Sequence, residues 1–140
     1  MLEIKFQLWD EIRKQMWTWE QLIALESNTG RKQFLYQAIV GPPKKRILRI
    51  YTGLKDRNGM EIYEGDIVPL VGLPITPEEI KAVVVYDTTK GRFLLSPVNC
   101  YLQNAGSGSW TGFDLQQAKF GKGVIGNIYE NPDLLQVGGK

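Results

Sequence analysis

Tyr51-Thr-Gly-Leu-Lys-Asp-Arg-Asn-Gly-Met-Glu-Ile-Tyr-Glu-Gly-Asp-Ile-Val68 is the stretch that decides how this chain folds. Gly53, Gly59 and Gly65 recur six residues apart. Asn58-Gly59 is the strongest short hairpin signal, because both residues tolerate positive φ. Glu64-Gly65-Asp66 predicts a second tight reversal, with the aspartate bonding its own backbone to hold the turn. Ile67-Val68 then opens a strand. Turn chemistry accounts for these glycines by itself. The functional alternative is that Lys55, Asp56 and Arg57 are displayed on a rigid hairpin tip for a partner. A phosphate-cradling loop does not fit, since Gly-x-x-x-x-Gly-Lys-Ser/Thr is missing and no helix is predicted to follow.

Outward from this segment the pattern is of short strands. Leu2, Ile4, Phe6 and Leu8 alternate with Glu3, Lys5 and Gln7, the period of a half-buried strand that Trp9-Asp10 closes. The polar run from Asp10 to Gln15 turns the chain, and Met16 to Trp19 returns as a second strand. Glu20 to Glu26 favours helix but is short. Phe34 to Val40 is a strand stopped by Gly41-Pro42-Pro43. Ile47, Leu48, Ile50 and Tyr51 form another, and Thr52 to Gly59 is a turn region. Met60 to Tyr63 is a short extended piece. Ile67 to Val71 is a strand that Pro69 makes an edge or interrupts. Ala82 to Tyr86 and Phe93 to Leu95 read as a hairpin around Gly91. Asn99 to Gly123 is irregular, and Val124 to Tyr129 is a last strand. Asn131 caps a short C-terminal helix with Pro132 at its first position. About seven short strands with turn signals every ten residues or so predict an all-β fold, a small SH3-like barrel with additional strands and little helix. Residues 1–136 are expected to form a single domain, and residues 137–140 a frayed tail.

Composition removes several classes. The 140 residues match one ordinary domain. Seventeen basic against 15 acidic residues leave a net charge of +2, which by itself does not point to nucleic acid. The single cysteine, Cys100, cannot form an internal disulfide and suits a reducing cytosol as a small buried residue. Met1-Leu2-Glu3-Ile4-Lys5 lacks the charged and apolar regions of a signal peptide. No apolar run approaches the roughly 18 residues of a membrane span. The chain has no histidine, which removes Ser-His-Asp and Cys-His catalysis and most zinc sites. The expectation is a cytoplasmic protein that is not an enzyme and needs no cofactor or metal.

Three blocks resemble the YopX family, small proteins of phages and prophages in bacteria. They are Glu3-Ile-Lys-Phe-Gln-Leu-Trp-Asp10, the Tyr51 to Val68 stretch, and Val124-Ile-Gly-Asn-Ile-Tyr-Glu-Asn-Pro-Asp-Leu-Leu135. They occur in the family's order and span about 40 of the 140 residues. The chain departs from the family at Leu2, Gln7 and Leu8, where the family places Arg before Glu3 and reads Phe-Arg-Ala-Trp-Asp. The resemblance implies an SH3-like, all-β barrel with extra strands, encoded by a phage or prophage and acting in the cytoplasm of the bacterial host. It implies no catalytic residues.

Lys44, Lys45, Arg46, Arg49, Lys55 and Arg57 stand against Asp56 alone between Gly41 and Arg57, a local charge of six minus one, or +5. Tyr51 and Tyr63 lie beside them. Cations that neutralise phosphates, together with aromatic stacking platforms, make nucleic-acid surfaces. The plainer reading is a solvated loop whose charges keep an edge strand from pairing. Glu61, Glu64, Asp66, Glu78 and Glu79 form an acidic set in which residues 64 and 66 are the pair to consider for magnesium. Gly65 between them breaks that geometry. Trp110, in a Gly/Ser-rich loop, either tucks onto the fold or marks an interface. The candidate binding residues are therefore Lys44, Lys45, Arg46, Lys55, Arg57 and Tyr51, with Trp110 as a candidate interface residue. The expected function is a non-enzymatic binding module contacting nucleic acid or a host or phage protein. The alternatives are a self-assembling structural or regulatory homo-oligomer and, third, a magnesium-dependent carboxylate enzyme. No membrane partner is expected.

Overall fold

The computed structural model describes residues 3–28, 46–71, 78–104 and 112–136. The expected strand at residues 34–40, the cations Lys44 and Lys45, Trp110 and the C-terminal tail lie outside these residues. The chain divides into two compact units, residues 1–51 and 52–140. The all-β class expected from the sequence is what the chain adopts: nine strands among the described residues, all pairs antiparallel where register is defined, with little helix.

In the first unit, β1 (Phe6–Asp10) pairs with β2 (Gln15–Trp17) on one side and with the start of β3 (Arg46–Lys55) on the other. Asp10 makes the intervening turn, its Oδ1 accepting from the N–H groups of Ile12 and Arg13, both at 3.1 Å. The second strand is shorter than expected, because Thr18 and Gln21 form a capping box that starts α1 (Trp19–Asn28). Gln21 N–H donates to Thr18 Oγ1 at 3.2 Å, and Thr18 N–H donates to Gln21 Oε1 at 2.9 Å. Trp19 thus belongs to the helix and meets Phe6 edge to face, ring centroids 5.7 Å apart. Leu22 is fully buried. At the position where the chain departs from the family, Gln7 Oε1 accepts from both Nε and Nη2 of Arg49, at 2.9 and 2.6 Å. An arginine at residue 7 has no acceptor to offer Arg49.

The division falls within β3. Thr52 to Lys55, expected as a turn, continue the strand, and this part pairs with β4 (Glu61–Tyr63). Gly53, at φ 90°, marks a local irregularity where Thr52 Oγ1 accepts from Leu54 N–H and donates to the Ile62 carbonyl.

The second unit is organised on a five-stranded sheet in the order β8-β7-β6-β5-β9. Its strands are β5 (Asp66–Leu70), β6 (Ile80–Asp87), β7 (Arg92–Pro97), β8 (Phe113–Asp114) and β9 (Gly126–Asn127). The run Ala82-Val-Val-Val85 is apolar without alternation because both faces of β6 are covered. Ala82 and Val84 join Ile62, Val68, Leu70, Leu95, Leu115 and Ala118 on one side. Val83 and Val85 join Ile67, Leu94 and Val98 on the other, closed by Tyr101, Ile128, Leu134 and Leu135. Pro69 pairs with Lys81 of β6, while β9 reaches only Asp66 and Ile67. The proline therefore sits where its missing N–H breaks no ladder bond to β9.

Four expectations need correction in this unit. Asn99 to Asn104, at the start of the stretch expected to be irregular, belong to a short helix, α2 (Val98–Asn104), because Val98 and Tyr101 cover the second core. Cys100 on it is half-exposed rather than buried. The last strand shrinks to Gly126–Asn127, after which Asn127 Oδ1 accepts from the N–H groups of Tyr129 and Glu130 and turns the chain. Asn131 precedes a 3-10 helix, η2 (Pro132–Leu135), as expected, but its side chain accepts from Asn127 N–H instead of capping that helix.

Ser96 carries the one buried side-chain hydroxyl without a hydrogen-bond partner among the described residues. Replacing it with alanine removes an unpaired polar atom from the core. Ser96→Ala is expected to raise the unfolding free energy by about 1 kcal/mol, measured by urea denaturation.

Candidate functional site

The hairpin joining β3 to β4 is built by Asp56. Its backbone N–H donates to the Met60 carbonyl at 2.8 Å and its carbonyl accepts from Gly59 N–H at 3.0 Å. Its Oδ1 accepts from the N–H groups of Asn58 and Met60, at 2.8 and 3.0 Å. Oδ2 reaches across the sequence and accepts from Val124 N–H at 2.9 Å. Asn58 Nδ2 adds a bond to the Lys122 carbonyl at 3.0 Å. The hairpin tip is thus clamped to residues 122–124. Gly123 lies between the two bonds at φ 99°, and a Cβ there would come within 2.6 Å of Asn58 Nδ2 and 2.7 Å of Asp56 Oδ2. Only a glycine backbone passes this close in this conformation.

Burial pushes the Asp56 carboxyl up, but the N–H donors of Val124, Met60 and Asn58 together outweigh it and hold the group below its ordinary value. At the β6–β7 turn, the Thr89 hydroxyl holds the Asp87 carboxyl below its ordinary value. Its Oδ1 accepts from that hydroxyl at 2.6 Å and from Thr89 N–H at 3.0 Å. Burial raises Tyr101, and the charge of Glu64 adds to the effect.

Asp56 is therefore not displayed. It is 6% exposed and its carboxylate faces inward. Lys55 and Arg57, on either side of it, are exposed. Neither makes an ion pair with a described residue. Arg46 is exposed at the start of β3, opposite Asp10 of β1. Tyr51 is placed in the core at 4% exposure, with Lys5 Nζ 5.5 Å from its ring centroid, so its ring is no stacking platform. Tyr63 is buried as well, its hydroxyl 3.2 Å from Glu61 Oε1.

The acidic set is also turned to structural use. Asp66 is buried and its Oδ2 accepts from Tyr63 N–H at 2.8 Å, closing the turn around Gly65. A Cβ at Gly65 would come within 2.8 Å of the Tyr129 ring. Glu79 pairs with Lys122 at 2.8 Å. Among the described residues, no three carboxylate or cysteine side chains come together as a metal would require.

Residues 119–122 were missed in the sequence. Lys119 ends η1 (Leu115–Lys119) and is exposed, Phe120 follows at 70% exposure, and Lys122 is exposed beside the clamp. Their only signal was Gly121 and Gly123 flanking a lysine, and nothing local tied them to a hairpin more than 60 residues earlier.

Among curated proteins, none matches the chain. Among solved structures, it resembles the crystal structure of protein EF1440 from Enterococcus faecalis, with 24% sequence identity and a TM-score of 0.52. That alignment covers 97% of this chain and 100% of the other, and what it shows is a shared fold. The family model of the YopX protein matches residues 5–136, reaching both units and covering the second and third blocks of resemblance and most of the first. The clamp's two halves, the Tyr51 to Val68 stretch and the segment opening at Val124, both fall within that match, and the chain belongs to the YopX protein family.

Proposed function

We propose that this protein is a non-enzymatic binding module that engages nucleic acid through the clamped β3–β4 hairpin, in the cytoplasm of a bacterium carrying a phage or prophage. The observation that supports it is the pairing of exposed, unneutralised cations with a fixed backbone. Lys55 and Arg57 flank an aspartate whose carboxylate is spent on three backbone N–H groups. The cations therefore keep their charge for a partner. Because the tip is already clamped to residues 122–124, little backbone freedom is lost when phosphates bind. Among the described residues no helix is long and apolar enough to cross a membrane.

Fluorescence anisotropy with labelled oligonucleotides tests the reading. Binding at low salt should weaken steeply as salt rises, since phosphate contacts release counterions. The Lys55→Ala and Arg57→Ala double variant should lower the affinity and reduce the salt slope by roughly 2. Absence of binding at low salt to both single-stranded and duplex forms refutes the proposal, and a protein partner then becomes the reading to pursue.

A further inference from the structure

We propose that Phe120, between Lys119 and Lys122, is a base-stacking platform that makes the hairpin site selective for single-stranded nucleic acid. This rests on the nucleic-acid reading above and names the strand form and the residue that would recognise it. Phe120 is 70% exposed, a large apolar ring in water where the adjoining residues Leu115 and Ala118 are buried. Its position is not loose. Phe120 N–H donates to the Gln117 carbonyl at 3.1 Å. The next residue, Gly121, lies so close to the Pro69 carbonyl oxygen that a Cβ would run into it. Two residues further on, the chain enters the Asp56 clamp. The ring is thus presented by a backbone fixed on both sides.

Exposed cations lie on both of the segments that the clamp joins. Lys119 and Lys122 flank the ring in sequence, and the Lys122 carbonyl accepts from Asn58 at the tip that carries Arg57 and Lys55. Lys122 pairs with Glu79 at 2.8 Å, but both side chains are largely exposed. An exposed pair of this kind contributes little, so phosphate can displace the carboxylate. An exposed aromatic ring flanked in sequence by cations fits a strand whose bases are unstacked and free to lie on it. A duplex keeps its bases stacked inside, and a lone ring reaches them only by unstacking a step. Stacking is tolerant of sequence, because every base has a π-face, so a preference for single strands with little sequence dependence follows.

The test uses the full chain with labelled oligothymidylate and with a duplex of equal length, by fluorescence anisotropy at low salt. The single strand should bind more tightly. Phe120→Ala should weaken it about tenfold while leaving duplex binding within twofold, and Phe120→Trp should retain it. The ring is exposed, so both variants should keep the wild-type melting temperature. Equal affinity for the two forms, or a Phe120→Ala variant that binds the single strand as wild type does, overturns the inference. If the Lys55 and Arg57 variants still weaken binding in that case, the broader nucleic-acid reading survives and this inference alone fails. If neither form binds, both fall.

Discussion

Asp56→Ala is expected to lower the unfolding free energy by about 3 kcal/mol, the largest effect of any single surface-hairpin substitution. The side chain is small and contributes little apolar area, so the cost is electrostatic. Three backbone N–H groups lose a charged acceptor at once, and hydrogen bonds to charged groups are stronger than neutral ones. Two of those donors are local and one, Val124, is 68 residues away, so the variant both loosens the hairpin and releases the segment that precedes β9. Asp56→Asn separates the contributions. An amide oxygen can still accept from Asn58 and Met60, but its NH2 group faces Val124 N–H, and a loss of about 1–2 kcal/mol is expected. The pH dependence follows from the sign of the shift. The folded carboxyl lies below its ordinary value of 3.8. Its stabilisation is therefore complete above that value and is lost as pH falls through the folded value. The gap between wild type and Asp56→Ala in urea unfolding should be constant near neutrality and shrink below about pH 4. A gap that stays the same down to pH 2 would assign the clamp to geometry rather than to charge.

Gly123→Ala is expected to cost about 3 kcal/mol. Two effects combine. Alanine at φ 99° is strained by its own backbone, and its Cβ falls against Asn58 Nδ2 and Asp56 Oδ2 at 2.6 and 2.7 Å. Neither atom is the free end of a long side chain, since both are held by their hydrogen bonds. The methyl must open the clamp that Asp56 closes, so the two substitutions act on one structure. Their double variant should lose clearly less than the sum of the single losses. Additive losses in urea denaturation would show that Gly123 acts through backbone strain alone. Either single variant should also weaken oligonucleotide binding, because Arg57 and Lys122 would no longer be held in register.

Much of the local structure was legible. Asn58-Gly59 and Glu64-Gly65-Asp66 form the turns they predict, because the interactions that make a turn lie within four residues. The β6–β7 hairpin is legible for similar reasons, whereas the alternation expected from Leu2 yields a strand only from Phe6, and β5 runs through Pro69 to Leu70. Where local signals competed, the reading slipped. Met16 to Trp19 looks like a strand by composition, but Thr18 and Gln21 cap a helix and end the strand at Trp17. Thr52 to Lys55 looked like turn because of Gly53, and pairing with β4 keeps it extended. Val98–Asn104 has no helix signature, and burial of Val98 and Tyr101 makes it helical.

The candidate site divides in the same way. The sequence by itself determined the class, the family and the two cations of the tip, since charge and turn propensity are properties of neighbouring residues. It left open that Asp56 is displayed beside them and counted Tyr51 among the candidate binding residues, because sequence does not tell which way a side chain faces. Only the tertiary structure turned Asp56 inward to Val124, placed Tyr51 in the core and bonded the Lys122 backbone to the hairpin tip. The Asp56–Val124 and Asn58–Lys122 bonds join residues more than 60 positions apart, and they exist only once the folded chain brings the two segments together.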